Sequence, residues 1–351
     1  MAKQKIIHIL YSGLGGTTEY VFNLIKADVS QEYENVILFY GIESPPSQQL
    51  LLAEKLVSKV IFIHKKQGYD RKSFKQVSEL LKKEKPNIIA LHINSLILTC
   101  AKYKDAKLIF VEHQANHLKT RKEWLWTFIA QYISSYIVSF TDLYQKELKK
   151  RLSFFYSASK NVMINTGIDL SLYNNLNIKT SEKVKVGIIS RINSFRDHET
   201  LLKAFSLLKN EDVELFIAGN GLLKNKLESK FNHGVHWLGL LDQDGICKLL
   251  KKLDIYVIAS FGESTSIALM QAQASRLPII ATNVKGINNV LTDKNCVFVA
   301  PKSITDYKNA LELLIKDEVK RKELAERSFE YANKNLSHIR MFDEYKKIFV
   351  K

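Results

Sequence analysis

The chain has 351 residues, 46% of them hydrophobic, which is long for a single core and comfortable for two α/β domains. Its formal net charge of +16, from 52 Lys+Arg against 36 Asp+Glu, favours an anionic partner: nucleic acid, a phospholipid surface or a phosphorylated substrate. No apolar run approaches the roughly 20 residues that cross a bilayer, and the first apolar stretch ends in glycines rather than a cleavage site, so neither a spanning helix nor a signal peptide is expected and the expected location is the cytoplasm.

Cys100, Cys247 and Cys296 are far apart and outside any CxxC spacing, so they read as apolar fillers rather than as disulfides or thiolate metal ligands. The charge comes without an Arg-rich arm, zinc-finger spacing or an RRM-type aromatic signature, and nucleic acid is not expected as a partner.

In chain order, a strand over 6–11 leads into Ser12-Gly13-Leu14-Gly15-Gly16-Thr17-Thr18 and then a helix carrying Tyr20, Val21, Leu24 and Ile25 at helical spacing. Apolar runs at 36–39, 60–63, 88–91, 108–111 and 136–138 read as further strands, with Lys-rich helical stretches between them. Residues 166–183 are polar and irregular and suit a linker. The scheme then repeats: strand 184–189, helix 198–208, strand 214–218, helix 222–231, strand 235–238, helix 244–252 and strand 254–260. Such alternation predicts parallel, doubly wound sheets. The fold expected is α/β, with two Rossmann-like domains facing each other across a cleft: residues 1–165 and 184–330, joined by the 166–183 linker, with a helix in 331–351 returning to the first domain.

After the strand at 254–260 comes Phe261-Gly262-Glu263-Ser264-Thr265-Ser266-Ile267-Ala268-Leu269-Met270-Gln271-Ala272-Gln273-Ala274-Ser275-Arg276-Leu277-Pro278, followed by a strand from Ile279. Gly262 permits a turn, 263–266 supply capping side chains, and the N-terminus of the helix that follows would point free amides at an anion. With Glu263 and Gln271 at the first and third turns of one helix, the two would reach different parts of an elongated ligand bearing hydroxyls and phosphates.

This segment resembles the signature of the retaining glycosyltransferase family 4: Glu, seven residues, Glu, then Ala-x-Ala-(Ser/Cys)-Gly-x-Pro. Gln271 stands at the second Glu and Arg276 at the Gly. Gly15-Gly16 is similar to the family's N-terminal Gly-Gly loop, and Asn165-Thr166-Gly167-Ile168-Asp169 to its hinge. Ser190-Arg191-Ile192-Asn193-Ser194-Phe195-Arg196 is similar to its Gly-Arg-Leu-x-x-x-Lys, with Arg196 at the Lys. Ala218-Gly219-Asn220-Gly221 and Trp237-Leu238-Gly239-Leu240 match its next two landmarks.

The resemblance implies a GT-B, metal-independent enzyme without a cofactor, moving a sugar from a UDP- or GDP-sugar to a glycan or lipid-linked acceptor in bacterial surface polysaccharide synthesis. Arg191 and Arg196 would stabilise charge on the leaving phosphate, with a planar fork where the family has a point donor. Glu263 would hold donor-sugar hydroxyls, and the amides of Ser264, Thr265 and Ser266 would face the distal phosphate. Gln271 and Leu240 would contact the nucleotide, Gln271 as a neutral acceptor in place of a charged one. Gly15 and Gly16 would let backbone amides approach a phosphate or acceptor. His113, in Phe110-Val111-Glu112-His113-Gln114, matches the family's histidine near the sugar's reacting end, and His117 lacks a third ligand for a metal.

The stretch His117-Leu118-Lys119-Thr120-Arg121-Lys122-Glu123-Trp124-Leu125-Trp126 joins bases to tryptophans as interfacial helices do, so peripheral binding to an anionic membrane is expected, a buried helix with a solvated basic start being the alternative. Two other readings compete: a non-catalytic GT-B partner of a glycosyltransferase, motivated by Gln271, Arg276 and Ala259, and a sugar-nucleotide epimerase.

Overall fold

The computed structural model describes residues 3–13, 15–173, 183–208, 212–288 and 290–350. The chain divides into two compact units, one running to Ile168 and resuming from His338, the other spanning Asp169–Ser337.

The first unit alternates β1 (Gln4–Tyr11), α1 (Gly16–Lys26), β2 (Tyr33–Gly41), α2 (Ser47–Leu56), β3 (Lys59–His64), α3 (Arg71–Glu84), β4 (Ile88–Leu91), α4 (Ile97–Ala101), β5 (Lys107–Val111), α5 (Arg121–Ile133), β6 (Tyr136–Ser139), α6 (Asp142–Leu152) and β7 (Asn161–Met163). Among the described residues its strands form one sheet in the order β3-β2-β1-β4-β5-β6-β7, and every pairing is parallel. β4 is buried along its whole length because helices cover both faces of a parallel sheet, which is why its sequence, IIAL, is continuously apolar. The order reverses between β1 and β4, and that gap is where open α/β sheets take ligands, at the carboxyl ends of the strands.

The second unit contains β8 (Val184–Ile189), α7 (His198–Ser206), β9 (Val213–Ala218), α8 (Lys224–Glu228), β10 (Val235–Gly239), α9 (Gln243–Lys252), β11 (Ile255–Ile258), α10 (Ile267–Ala274), β12 (Ile279–Thr282), β13 (Val297–Val299), α11 (Ile304–Lys316) and α12 (Glu318–Asn335). Its parallel sheet runs β10-β9-β8-β11-β12-β13, so the reversal falls between β8 and β11. The helix read at 222–231 shortens to α8, and the three-residue strands β7 and β13 are too short to leave a periodic signal.

α13 (His338–Val350) completes the first unit. It buries Met341, Phe342, Tyr345, Ile348 and Phe349, the spacing of one helical face, in the same core as Tyr20, Val21 and Leu24 of α1. The Tyr345 and Tyr20 hydroxyls lie 2.8 Å apart, and Lys107 Nζ donates to the carbonyls of Ile348 (3.1 Å) and Phe349 (2.8 Å) at the helix end. The return to the first unit begins at His338 rather than at 331, because α12 runs on to Asn335. Within the expected 166–183 linker, Gly167 N donates to Met341 Sδ and Ile168 O accepts from His338 N, so its first residues are built into the first unit; 174–182 lie outside the described residues, as does Leu14.

Candidate active site

In the second unit, the loops that leave β8 and β11 meet at the strand-order reversal. Arg196 and Ser260 form an antiparallel bridge between them, with Asp197 N donating to Ala259 O at 3.1 Å and Phe261 N to Phe195 O at 3.1 Å. Arg196 Nη1 donates to Ser260 Oγ at 2.8 Å and is ion-paired with Glu263. Burial pushes the Arg196 guanidinium below its ordinary pKa; Tyr256 opposes this and the like charge of Arg191 adds to it, which also puts Arg191 within electrostatic reach. Asp197, buried, accepts from Thr200 Oγ1 (2.5 Å) and Lys302 N (2.7 Å), and His198 Nε2 sits 3.0 Å from Ser190 Oγ, so the loop carrying both arginines is tied at several points. Gly219 and Gly221 pack so closely on the carbonyls of Ser190 and Ile192 that a Cβ at either would collide with backbone; this is the physical reason for the glycines in Ala218-Gly219-Asn220-Gly221.

Glu263 is not on the helix with Gln271. α10 starts at Ile267 with Ser266 as its N-cap, the Ser266 hydroxyl accepting from Leu269 N at 3.3 Å, so Gln271 falls in the second turn and Glu263 in the turn before the helix. A serine cap four residues after Gly262 sets that boundary. Glu263 is 7% exposed; its amide donates to Lys285 O at 3.1 Å, and Gly286, at φ 92°, lies so close to the Glu263 carbonyl that no side chain fits there. Ser264 and Thr265 lie in the turn between Glu263 and the cap, and Thr265 Oγ1 is buried with no hydrogen-bond partner among the described residues.

Gln271 is 4% exposed, with Nε2 3.5 Å from Gln243 Oε1 at the start of α9; Gln243 Nε2 donates in turn to the Tyr173 hydroxyl at 2.6 Å. Arg276 takes no part in this chain of amides. It occupies the left-handed region at φ 51° just past α10, and its guanidinium stacks on Phe329 at 3.9 Å and lies 3.8 Å from Glu326. Leu240, exposed beyond the edge strand β10, is separated from the β8–β11 gap by β9.

In the first unit, Gly15 is the N-cap of α1 and Gly16 its first residue. Tyr20 from α1 packs edge-on against His113 at 5.1 Å, and His113 Nε2 lies 2.9 Å from Nδ1 of His92, which follows β4. His8 of β1 stacks on His92 at 5.9 Å. Burial lowers all three histidines, His113 to about 3, His8 to about 4, and His92 well below its ordinary value with the other two adding to the effect. They are neutral imidazoles at neutral pH. His113 lines a cavity of about 310 Å³ with Tyr11, Tyr40, Lys65 and Glu112. Among the described residues, no group of three or more His, Cys, Asp and Glu could hold a metal ion.

The basic and aromatic stretch is placed differently from an interfacial helix. Lys119, with a fully buried side chain, pairs with Glu112 at 2.9 Å, and Trp124 lies between Lys119 (4.7 Å) and Arg151 (4.4 Å). Trp126 packs against the core on the α3–α5 side of the sheet. These two tryptophans and Lys119 are structural because the Thr120–Glu123 capping box fixes where α5 starts and hence which face turns inward. The large apolar side chains that α5 exposes are Leu125 and Tyr132, the latter packed among the rings of Phe128 and Phe155, with Phe154 beyond.

The residues missed by reading the sequence are second members of pairs: Ser260, Gln243, Tyr173, Glu112 and His92. None carries a spacing signal. Ser260, at the end of DIYVIAS, and His92, after IIAL, could have been found by asking which polar residue follows each strand at the two reversals.

Residues 14–172 match Glycosyltransferase Family 4 and residues 174–332 match Glycosyl transferases group 1. An uncharacterized glycosyltransferase of Methanocaldococcus jannaschii is 25% identical over 71% of this chain and 69% of its own length. The alpha-monoglucosyldiacylglycerol synthase of Streptococcus pneumoniae is 28% identical over 38% of this chain, and Protein CapJ of Staphylococcus aureus 29% over 37%; the chain matches 34% and 35% of their respective lengths. In three dimensions the chain is similar to Anabaena HepE, solved with UDP and glucose, at a TM-score of 0.83 with 15% identity over 99% of this chain and 100% of that one. It is similar also to S. aureus TarM, solved with UDP, at 0.82 with 12% identity over 99% and 100%. The architecture is GT-B, and the chain belongs to the family 4 glycosyltransferases.

Proposed function

We propose that the protein is a retaining glycosyltransferase that moves a sugar from a nucleotide diphosphate sugar, UDP- or GDP-linked, to a glycan or lipid-linked acceptor in bacterial surface polysaccharide synthesis. The observation that carries the reading is the convergence of Arg196, Ser260 and Glu263 at the strand-order reversal of the second unit, where a parallel sheet takes its ligand.

Sugar transfer builds negative charge on the departing phosphate, and Arg196, with Arg191 nearby, supplies fixed positive charge there in a partly buried setting where it acts strongly. The arginines take the part a metal plays elsewhere, and turnover should be the same with a chelator present. Glu263 accepts from donor-sugar hydroxyls, the Thr265 hydroxyl, without a partner among the described residues, is available to a polar group of the ligand, and Gln271 meets the ribose. His113, neutral, offers a donor or acceptor to the sugar without repelling a cationic ring carbon. Turnover of a panel of UDP- and GDP-sugars, with and without lipid acceptor, tests the reading. Loss of sugar nucleotide with no acceptor dependence and epimerised product would favour an epimerase, and no turnover at all a non-catalytic partner.

The acceptor end works at an anionic membrane surface. Phe154 is 92% exposed, with half-exposed Phe155 beside it and half-exposed Tyr132 against Phe155, and Arg121, Lys149 and Lys150 are exposed on the adjoining ends of α5 and α6. Among the described residues no helix is long and apolar enough to cross a membrane, and the attachment proposed is a peripheral one.

A further inference from the structure

A second cavity in the first unit, of about 810 Å³, lies under the loop after β3, between the starts of α3 and α5 and along α4. It is within the roughly 300–1,000 Å³ range of small-molecule sites. Its wall combines five cations, Lys65, Arg71, Lys75, Lys102 and Lys122, with the apolar surfaces of Tyr69, Phe74, Leu98 and Trp126. Elsewhere several surface lysines are matched by carboxylates one helical turn away, as in Lys146–Asp142, Lys203–Glu199 and Lys248–Asp244. Among the described residues, Lys65, Arg71, Lys102 and Lys122 have no carboxylate in ion-pair range. The one acid in the wall, Glu123, is committed: its Oε2 accepts from Thr120 N and Oγ1, both at 2.7 Å.

Unmatched positive charge around an apolar floor is complementary to a phosphate carried on an apolar chain, and neither a neutral glycan nor a bare inorganic anion uses both halves of such a wall. The cavity adjoins the one that holds His113, since Lys65, Asn94, Ser95 and Glu123 line both. We propose that this cavity binds the phosphate and the first apolar units of the acceptor, so that the acceptor is a phosphorylated apolar chain whose far end reaches His113. The proposal rests on the glycosyltransferase reading for the word acceptor, and on the cavity alone for the ligand's chemistry.

The test is calorimetric titration of the full chain with geranyl phosphate, with UDP present at saturation so that the phosphate cannot occupy the nucleotide site. Geranyl phosphate should bind at least about tenfold more tightly than geraniol or glycerol 3-phosphate, and more weakly as salt is raised. Arg71→Ala with Lys102→Ala, both exposed and outside the core, should weaken it by about tenfold or more, and Tyr69→Ser, 75% exposed in the wild type, should weaken it less. UDP affinity should stay the same in these variants. Equal binding of geranyl phosphate and geraniol, or a double variant that binds like the wild type, would overturn the proposal. Wild-type protein that binds neither UDP nor GDP would overturn the donor reading instead, and geranyl phosphate titrated without nucleotide would then still decide the cavity.

Discussion

Arg196 donates from a single nitrogen, Nη1, to the Ser260 hydroxyl and to the carboxylate of Glu263, so the cation proposed for the leaving phosphate already holds an anionic partner. A pyrophosphate arriving there has to share or displace that carboxylate, and the sugar hydroxyls offer Glu263 new donors when it is displaced. Arg196→Ala should therefore cost on the order of a hundredfold in turnover and bind UDP and GDP poorly by calorimetry. Glu263→Gln should separate the two effects: nucleotide affinity held or tightened as Arg196 is released, with turnover down. Weaker nucleotide binding in Glu263→Gln would mean that the carboxylate positions Arg196 rather than competing for it.

Gln271 is joined to Gln243 and Tyr173 through groups that can each donate or accept. Gln271→Glu leaves that chain intact if the Gln243 amide turns to donate, its oxygen then accepting from the Tyr173 hydroxyl. The new carboxylate should tighten UDP binding by about 1 kcal/mol, the difference between charged and neutral acceptors at the ribose. In a Gln243→Leu background the same change has no donor opposite it and should lower the melting temperature. Arg276→Gly should leave UDP affinity alone, because Arg276 faces Phe329 and Glu326, and it should be close to neutral in stability: the left-handed backbone is relieved while the ring contact is lost. Weaker UDP binding in Gln271→Glu would show a pocket that admits only an amide.

His8, His92 and His113 in the first unit and His198 in the second are all lowered by burial. A histidine whose folded pKa is depressed binds its proton in the unfolded chain first. Stability is thus full above the unfolded value of about 6.5 and falls as the pH drops from there toward about 4 for His8 and His198 and about 3 for His113. Each contributes a slope of up to about 1.4 kcal/mol per pH unit inside its window. Urea unfolding between pH 7 and 4.5 should show this loss in both units, steeper in the first, and His8→Phe should make the first unit's slope shallower. A pH-independent midpoint over that range would refute neutral buried imidazoles.

The two sheets were legible because each strand is a short apolar run, continuous where helices cover both faces, and each is followed by a turn residue. β7 and β13, three residues each, carry no such signal. At the site, Arg191, Arg196, Glu263 and Gln271 were legible one by one through motif spacing. The pairing of Arg196 with Glu263 across 67 positions was not, because a bond between two loops depends on which strands are neighbours in the sheet. The helix boundary was misplaced for a different reason. Glu263 suits a first turn as well as the loop before one, and only the Ser266 cap decides. The tryptophans of α5 misled because aromatic and basic residues make the same pattern on a core-facing helix as on a membrane-facing one, and only the capped register tells which side is inward.

That register moves the membrane prediction from Trp124 and Trp126 to the Phe154 edge. Each Lys or Arg near an anionic leaflet contributes about 1 kcal/mol, lost with salt, whereas a ring inserted among acyl chains contributes a part that salt does not touch. The protein should cosediment with phosphatidylglycerol vesicles at low salt, and more weakly at high salt. Lys149→Ser with Lys150→Ser should remove much of the salt-dependent part, and Phe154→Ser with Phe155→Ser the remainder, with the circular dichroism of the wild type. Trp124→Ala, by contrast, should lower the melting temperature, because it breaks the stack between Lys119 and Arg151 and leaves the buried Lys119–Glu112 pair exposed to water. Wild-type protein that ignores these vesicles at low salt would sink the membrane role, and the exposed phenylalanines would then mark a contact with another protein.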